Sequence, residues 1–295
     1  MPPKGAVKKK MNSYTLKLDN RQMAELKKQL STDLIAVNNE HIAFAARLLN
    51  GRITAYKSGS VLFQGRDAQT LYLTFHKQFC GVFSDAAGSD EVGTGDYFWP
   101  IVVCACFICE QTYPAIQNLG LTDSKALSDS IIRQLGPRLY DLLPNSLLVL
   151  NNQKYNEIQP TNNMNAIKAK LHNQAYFNLR RKIGKLPALT VIDQFTPPVK
   201  YFQYLKDEEN VVTDVLFSVK AESQYPAVAA ASIIARFRFL REIDKLKAKY
   251  HFPFPLGAGT KVDEALLAFV QSHPGRLNEV AKLNFRNTKK VGVNL

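Results

Sequence analysis

The sequence predicts an α/β protein in two parts: a small α+β unit, then a mixed β-sheet flanked by helices. Three observations predict it. Strand, helix, several strands and helix patterns follow one another within residues 1–80, where 13 Lys+Arg stand against 5 Asp+Glu. A nearly unbroken apolar run over 97–108 reads as a strand buried on both faces. Beyond it, short apolar runs alternate with helical patterns, as strands joined through helices do.

The elements follow in order. Residues 1–10, with Lys4, Lys8, Lys9 and Lys10, lack the apolar core of a signal peptide and read as a solvated tail. Tyr14–Leu18 alternates as a strand, and Asp19 or Asn20 can cap a helix over Arg21–Leu30. Ile42–Leu49, Arg52–Lys57 and Ser60–Phe63 read as strands parted by turn signals at Asn50-Gly51 and Gly59, and Asp67–Phe79 returns to helical spacing. Residues 1–80 are therefore expected to form a basic binding unit and 81–295 a second, catalytic domain. The small-residue stretch Gly81–Gly88 is expected to link them. In the second domain the first strand ends near Asp90, and Phe107–Thr112 is expected to contribute a further hairpin strand. A loop over 121–128 enters a helix at Asp129–Leu143, followed by a strand at Leu147–Asn151. Asn163–Ile183 reads as a long helix with basic residues on its exposed face. Leu189–Ile192 is a short buried strand ending at Asp193, and Asn210–Val219 is expected as another. From Tyr225 to Arg241 the alanine-rich pattern is helical, with small residues suited to close packing.

Composition narrows the partners. The 295 residues carry 38 Lys+Arg against 25 Asp+Glu, a net charge of +13, which favours a polyanion and most often nucleic acid. No apolar stretch is long enough to cross a membrane. Cys80, Cys104, Cys106 and Cys109 lack the His or second Cys pair that would complete a zinc site, so free thiols in a reducing cytoplasm are expected. No coiled-coil pattern or apolar interface stripe is present, and a monomer is expected.

The chemistry centres on Ala87-Gly88-Ser89-Asp90-Glu91-Val92-Gly93-Thr94-Gly95-Asp96. Two adjacent carboxylates at the edge of a buried strand are costly unless a cation meets them. Asp193 after Val191-Ile192, and Glu222 before the alanine-rich helix, are likewise carboxylates placed where an apolar element ends. Four such carboxylates brought together could hold two divalent cations through hard oxygen ligands. Adjacent residues of a flat strand face opposite ways, so Asp90 and Glu91 share a site only if the backbone bends, which Gly88 and Gly93 would permit. Taken singly, Asp193 reads as a strand-end turn residue, Glu222 as a first-turn helix carboxylate and Lys125 as a surface lysine. His172 and His251 read as structural or surface residues, with a substrate-side contact open to His172, which shares the polar side of the long helix with Lys168. Gly257–Lys261 is a glycine-rich loop that could approach phosphates, though without the spacing of a P-loop.

In order and spacing, Asp90-Glu91-Val92-Gly93-Thr94-Gly95, Thr122-Asp123-Ser124-Lys125, Val191-Ile192-Asp193 and Lys220-Ala221-Glu222 leading into Ala229–Arg236 resemble the type 2 ribonucleases H over residues 84–290. Glu222 where the HII branch has Asp, Thr94 where it has Arg, and a front unit resembling the TATA-box-binding-protein fold favour the bacterial HIII branch. The resemblance implies an RNase H-like fold, hydrolysis of the RNA strand of RNA/DNA hybrids to 5′-phosphate and 3′-hydroxyl ends, and Mg²⁺ or Mn²⁺ as cofactor. It also implies that Asp90, Glu91, Asp193 and Glu222 are the metal carboxylates. Gly93, Thr94 and Gly95 resemble the backbone that meets ribose 2′-hydroxyls, and Ser124 and Lys125 resemble phosphate contacts; Asp123 reads equally as a helix cap. Two other functions stand beside this one: HII-like incision at single embedded ribonucleotides, and noncatalytic binding of hybrids.

Overall fold

The computed structural model describes residues 13–80, 85–117, 119, 121 and 127–292. These divide into two compact units, one drawn from the first 84 residues together with 109–119, the other from 85–108 and the chain beyond 120.

The first unit opens with β1 (Ser13–Lys17) and α1 (Asn20–Gln29). Asp19 caps α1 reciprocally: its carboxylate accepts from the Gln22 N–H at 2.8 Å, while the Gln22 side chain accepts from the Asp19 N–H at 3.0 Å. Then come β2 (Leu34–Ile35), β3 (Ile42–Leu48), β4 (Gly51–Tyr56), β5 (Ser60–Gly65) and α2 (Ala68–Cys80). The five strands form an antiparallel sheet in the order β1-β5-β4-β3-β2. Leu16, Leu26, Ile53, Val61, Phe63 and Tyr72 fill a core between the sheet and its two helices. The two-residue β2 is too short to carry a pattern and escapes sequence reading.

The second unit is built on β6 (Ala86–Val92) and β7 (Ile101–Ile108). After the short α3 (Tyr113–Gln117), which belongs to the first unit, come α4 (Asp129–Leu142), β8 (Asn145–Leu150) and α5 (Asn152–Ile158). They are followed by α6 (Met164–Ile183), β9 (Leu189–Asp193), α7 (Pro198–Tyr204), β10 (Leu216–Ser218) and α8 (Pro226–Tyr250). The chain closes with α9 (Thr260–Ser272), α10 (Leu277–Val280) and α11 (Arg286–Lys290). The sheet order is β10-β9-β6-β7-β8; β6–β9 and β9–β10 are parallel and the rest antiparallel, so the mixed sheet expected from the sequence is present.

Several boundaries differ from expectation for physical reasons. Ala86, Ala87 and Gly88 belong to β6, not to a linker. Their small side chains serve packing: a Cβ on Gly88 would lie 2.2 Å from the Val228 nitrogen, so α8 can lie against the strand only over glycine. Residues 97–100 are apolar and buried but bend instead of extending the strand. The hairpin partner of β6 is β7 itself, which stops at Ile108, and 109–112 turn. Of the strand expected over 210–219 only β10 forms.

Candidate active site

β6 is the central strand of the second sheet and runs parallel to β9, so Asp90 and Asp193 are delivered to the same carboxyl edge. Crevices beyond the carboxyl ends of parallel strands are where open α/β sheets bind ligands. No bulge bends β6 before Val92: Asp90 pairs with Cys104 and Glu91 with Val103 in regular register. The two carboxylates therefore face opposite sides, and the bend expected at Gly88 does not occur. Gly93 turns the chain just after the strand, at φ +89°, and a Cβ there would lie 2.0 Å from the Pro100 carbonyl.

On one face Asp90 meets α8. It is buried, accepts from the Glu91 N–H at 2.8 Å and hydrogen-bonds Ser232. Burial, followed by the negative charge of Glu91 and, more weakly, that of Asp193, pushes its carboxyl up to about 8 against the Ser232 and Glu91 N–H hydrogen bonds. On the other face Glu91 meets α6. Lys168 pairs with one carboxylate oxygen, and His172 Nε2 lies 2.9 Å from the other. Burial works to raise the Glu91 carboxyl, but the His172 hydrogen bond and charge, with Lys168, hold it below its ordinary value. An ionised Glu91 only accepts, which places a proton on His172 Nε2; Nδ1 stands 2.7 Å from the Ser89 hydroxyl. Phe195, two residues after Asp193, stacks on His172 and lies 4.0 Å beneath the Lys168 ammonium.

Asp193 accepts from the Ala221 N–H at 2.8 Å, which ties the end of β9 to the 3₁₀ turn Ala221–Ser223. Lys220 reaches that turn in the left-handed region, at φ 54°. Glu222, in the turn, is buried, and its Oε2 has no partner among the described residues. Among the described residues no three His, Cys, Asp or Glu side chains stand close enough to hold a metal ion as they are. Glu91, turned toward α6, is engaged there by two cationic or donor groups.

Of the other residues singled out in the sequence, Gly93 is buried, Thr94 half-buried and Gly95 exposed with open space where a Cβ would project. Ser124 and Lys125, with Asp123, lie outside the described residues. The Gly257 loop is tied to the turn that follows β6: Gly257 N–H donates to Asp96 at 2.6 Å, and Tyr97 N–H donates to the Gly257 carbonyl at 2.9 Å. His251 is exposed at the end of α8. Cys104 and Cys106 are free and buried. The sequence pattern puts Lys168 and His172 on a polar helix face, yet both are buried. Their spacing of four, which places them on one side of α6, was the available signal. Lys282, wholly buried, carried no sequence signal at all.

The ribonuclease HII family model matches residues 87–288, and a domain of unknown function, DUF3378, matches 13–78. Ribonuclease HIII of Geobacillus sp. WCH70 is 37% identical, with 95% of this chain and 98% of that protein covered. Ribonuclease HIII of Bacillus cereus is 38% identical over the same shares of the two chains. The crystal structure of Bst-RNase HIII in complex with Mn²⁺ superposes with a TM-score of 0.69 at 35% identity, covering 95% of this chain and 98% of that one.

Proposed function

This chain belongs to the ribonuclease HIII family and is an endoribonuclease that acts on RNA/DNA hybrids; from that premise we propose that Asp90, Glu91, Asp193 and Glu222 hold its divalent cations, Mg²⁺ or Mn²⁺, two to a site. The observation that carries this reading is a pair of buried carboxylates, Asp90 and Glu222, with no ion pair to a cation among the described residues. Asp90 is driven up by burial and by its acidic neighbours, and Glu222 keeps a buried oxygen with no partner. Hard oxygen donors in that state suit a small divalent cation. The Mn²⁺ bound by Bst-RNase HIII is consistent with it.

Bound cations would supply an activated water and stabilisation of the leaving oxygen, giving 5′-phosphate and 3′-hydroxyl ends. The chain's own residues do the rest. Asp90 and Asp193 present oxygens from adjacent parallel strands, and the Asp193–Ala221 hydrogen bond carries Glu222 to the same edge. Lys168 and His172 keep the Glu91 carboxylate ionised on the α6 side of β6, so it would reach a cation only beyond the strand end, where Gly93 turns the chain. Gly95 supports a substrate contact along Gly93, Thr94 and Gly95, because among the described residues no atom lies within 4 Å of where its Cβ would project, so packing does not account for the glycine. Glycine lets backbone approach a ribose, and the 2′-hydroxyl is what distinguishes RNA from DNA. Ser124 and Lys125 complete the reading as phosphate contacts.

The first unit supplies nonspecific backbone affinity in this reading. Arg47 and Arg52 pair directly across β3 and β4 and line an open cleft of about 440 Å³. Like charges placed opposite each other cost stability unless an anion lies between or beside them. Replacing both by Ala should weaken hybrid binding and lower the salt dependence by about one unit of slope per lost phosphate contact; unaltered affinity would remove this role. The enzyme is taken to work as a cytoplasmic monomer. Among the described residues no helix is long and apolar enough to cross a membrane.

The decisive experiment compares an end-labelled RNA/DNA hybrid with a DNA duplex carrying one ribonucleotide, each with Mg²⁺, Mn²⁺ or EDTA. Metal-dependent cutting of the hybrid with the single ribonucleotide spared is expected. Efficient cutting at the single ribonucleotide would favour HII-like incision, and tight binding without cutting would leave a noncatalytic hybrid binder.

A further inference from the structure

We infer that Lys282 is a built-in cation that positions the Gly93–Gly95 loop, and is thereby a specificity-determining residue for recognition of the RNA strand. The inference rests on the reading of that loop as a ribose contact.

Lysine is almost never wholly buried without a counter-charge. Lys282 is 0% exposed, and its ammonium meets backbone carbonyls where a carboxylate would be usual. It donates to the carbonyls of Gly93 at 3.0 Å, Asp96 at 2.6 Å and Trp99. Its own backbone N–H donates to the Tyr97 carbonyl at 2.8 Å. The rings of Tyr155 and Phe285 stand 5.7 and 5.8 Å from the ammonium. One residue thus ties down four of the seven residues from Gly93 to Trp99.

The match is chemical as well as spatial. An ammonium has three N–H donors, and three converging carbonyls accept them. A planar guanidinium directs its donors as a fork and does not suit that arrangement. Neutral side chains of similar length leave at least one buried carbonyl unsatisfied. With the carbonyls of Gly93 and Asp96 turned inward onto Lys282, Thr94 is left half-buried and Gly95 exposed between them. Burial also pulls the Lys282 pKa down to about 7, against the attraction of Asp96, so burying the ammonium here is costly. A residue that only filled space here would be apolar.

The test is steady-state cleavage by the full chain carrying Lys282→Met, on a hybrid and on hybrids with single 2′-deoxy substitutions beside the cut. The expected result is a KM about tenfold higher, the lower end for loss of an outer-shell support, with kcat nearly unchanged and a smaller penalty for each 2′-deoxy substitution. Lys282→Gln, which keeps two donors, should fall between Met and wild type, and it serves if the Met variant does not fold. Lys290→Met is the control: it removes an ion pair to Asp263 in the same carboxyl-terminal segment and should lower stability without moving KM. An unchanged KM and 2′-deoxy penalty in folded Lys282 variants, or an equal KM rise in Lys290→Met, would overturn the inference. Gly95→Ala separates it from its premise, because the added methyl meets no atom of the described residues within 4 Å. If Gly95→Ala is silent, the loop reading itself fails; if it raises KM while Lys282→Met does not, only the role of Lys282 fails.

Discussion

Glu222 and Glu279 lie on short helical segments of the same unit, yet the fold treats them oppositely. Glu279 receives hydrogen bonds from Lys249, Tyr250 and Arg276, which pull its carboxyl down to about 2. Asp263 is served in the same way by Lys290 and Asn287. Glu222 is buried with an unpartnered oxygen, and Asp90 is buried beside two further acids with its carboxyl raised. Where a carboxylate stabilises this protein, donors and cations surround it. Where a buried carboxylate has no cation to offset its burial, it costs stability, and function is the remaining reason for it to be there.

The largest effect that would sharpen this contrast is Asp90→Asn. Activity on hybrids should fall by at least about 100-fold, the upper end for loss of a mere outer-shell partner, and calorimetric Mn²⁺ binding should weaken with it. The melting temperature of the metal-free protein should rise, by about 2–4 °C for each kcal/mol of buried repulsion relieved. A lower melting temperature would class Asp90 with Glu279 and break the comparison. Glu222→Gln should act in the same sense but less, with about tenfold lower kcat/KM and little change in melting temperature. Full activity in Glu222→Gln would leave three carboxylates as the site.

These particular residues show what could be read in the sequence. The two sheets and their helices were legible because β1, α1, α4, α6 and β9 each have a cap, a period or a turn residue at their ends. Asp90, Glu91 and Asp193 stood out as carboxylates at apolar edges. The engagement of Glu91 by Lys168 and His172 did not, because α6 is buried around more of its circumference than a polar pattern implies. Ala86-Ala87-Gly88 imitated a linker, since smallness for packing and smallness for flexibility look alike in one sequence. Lys282 was hidden for a related reason. Its partners are backbone carbonyls some 190 positions away, and no side-chain pattern encodes a carbonyl.

At the other pole of the comparison, Glu279→Gln should leave kcat and KM for the hybrid unchanged while lowering the melting temperature. The expected loss is on the order of 1 kcal/mol, because the cluster lies at the surface and solvent screens it. The sign of its pH dependence follows from linkage. The carboxyl titrates near its ordinary 4.5 in the unfolded chain and at about 2 in the folded one, so the unfolded chain binds the proton first as pH falls. The stability that Glu279 contributes is therefore fully present above about 4.5 and drains away as pH drops toward 2. Denaturant melts of wild type and Glu279→Gln should differ at pH 6 and converge near pH 2. A gap that persists at pH 2 would mean that Glu279 acts through packing and not through its charge, and the contrast with Glu222 would then rest on shape alone.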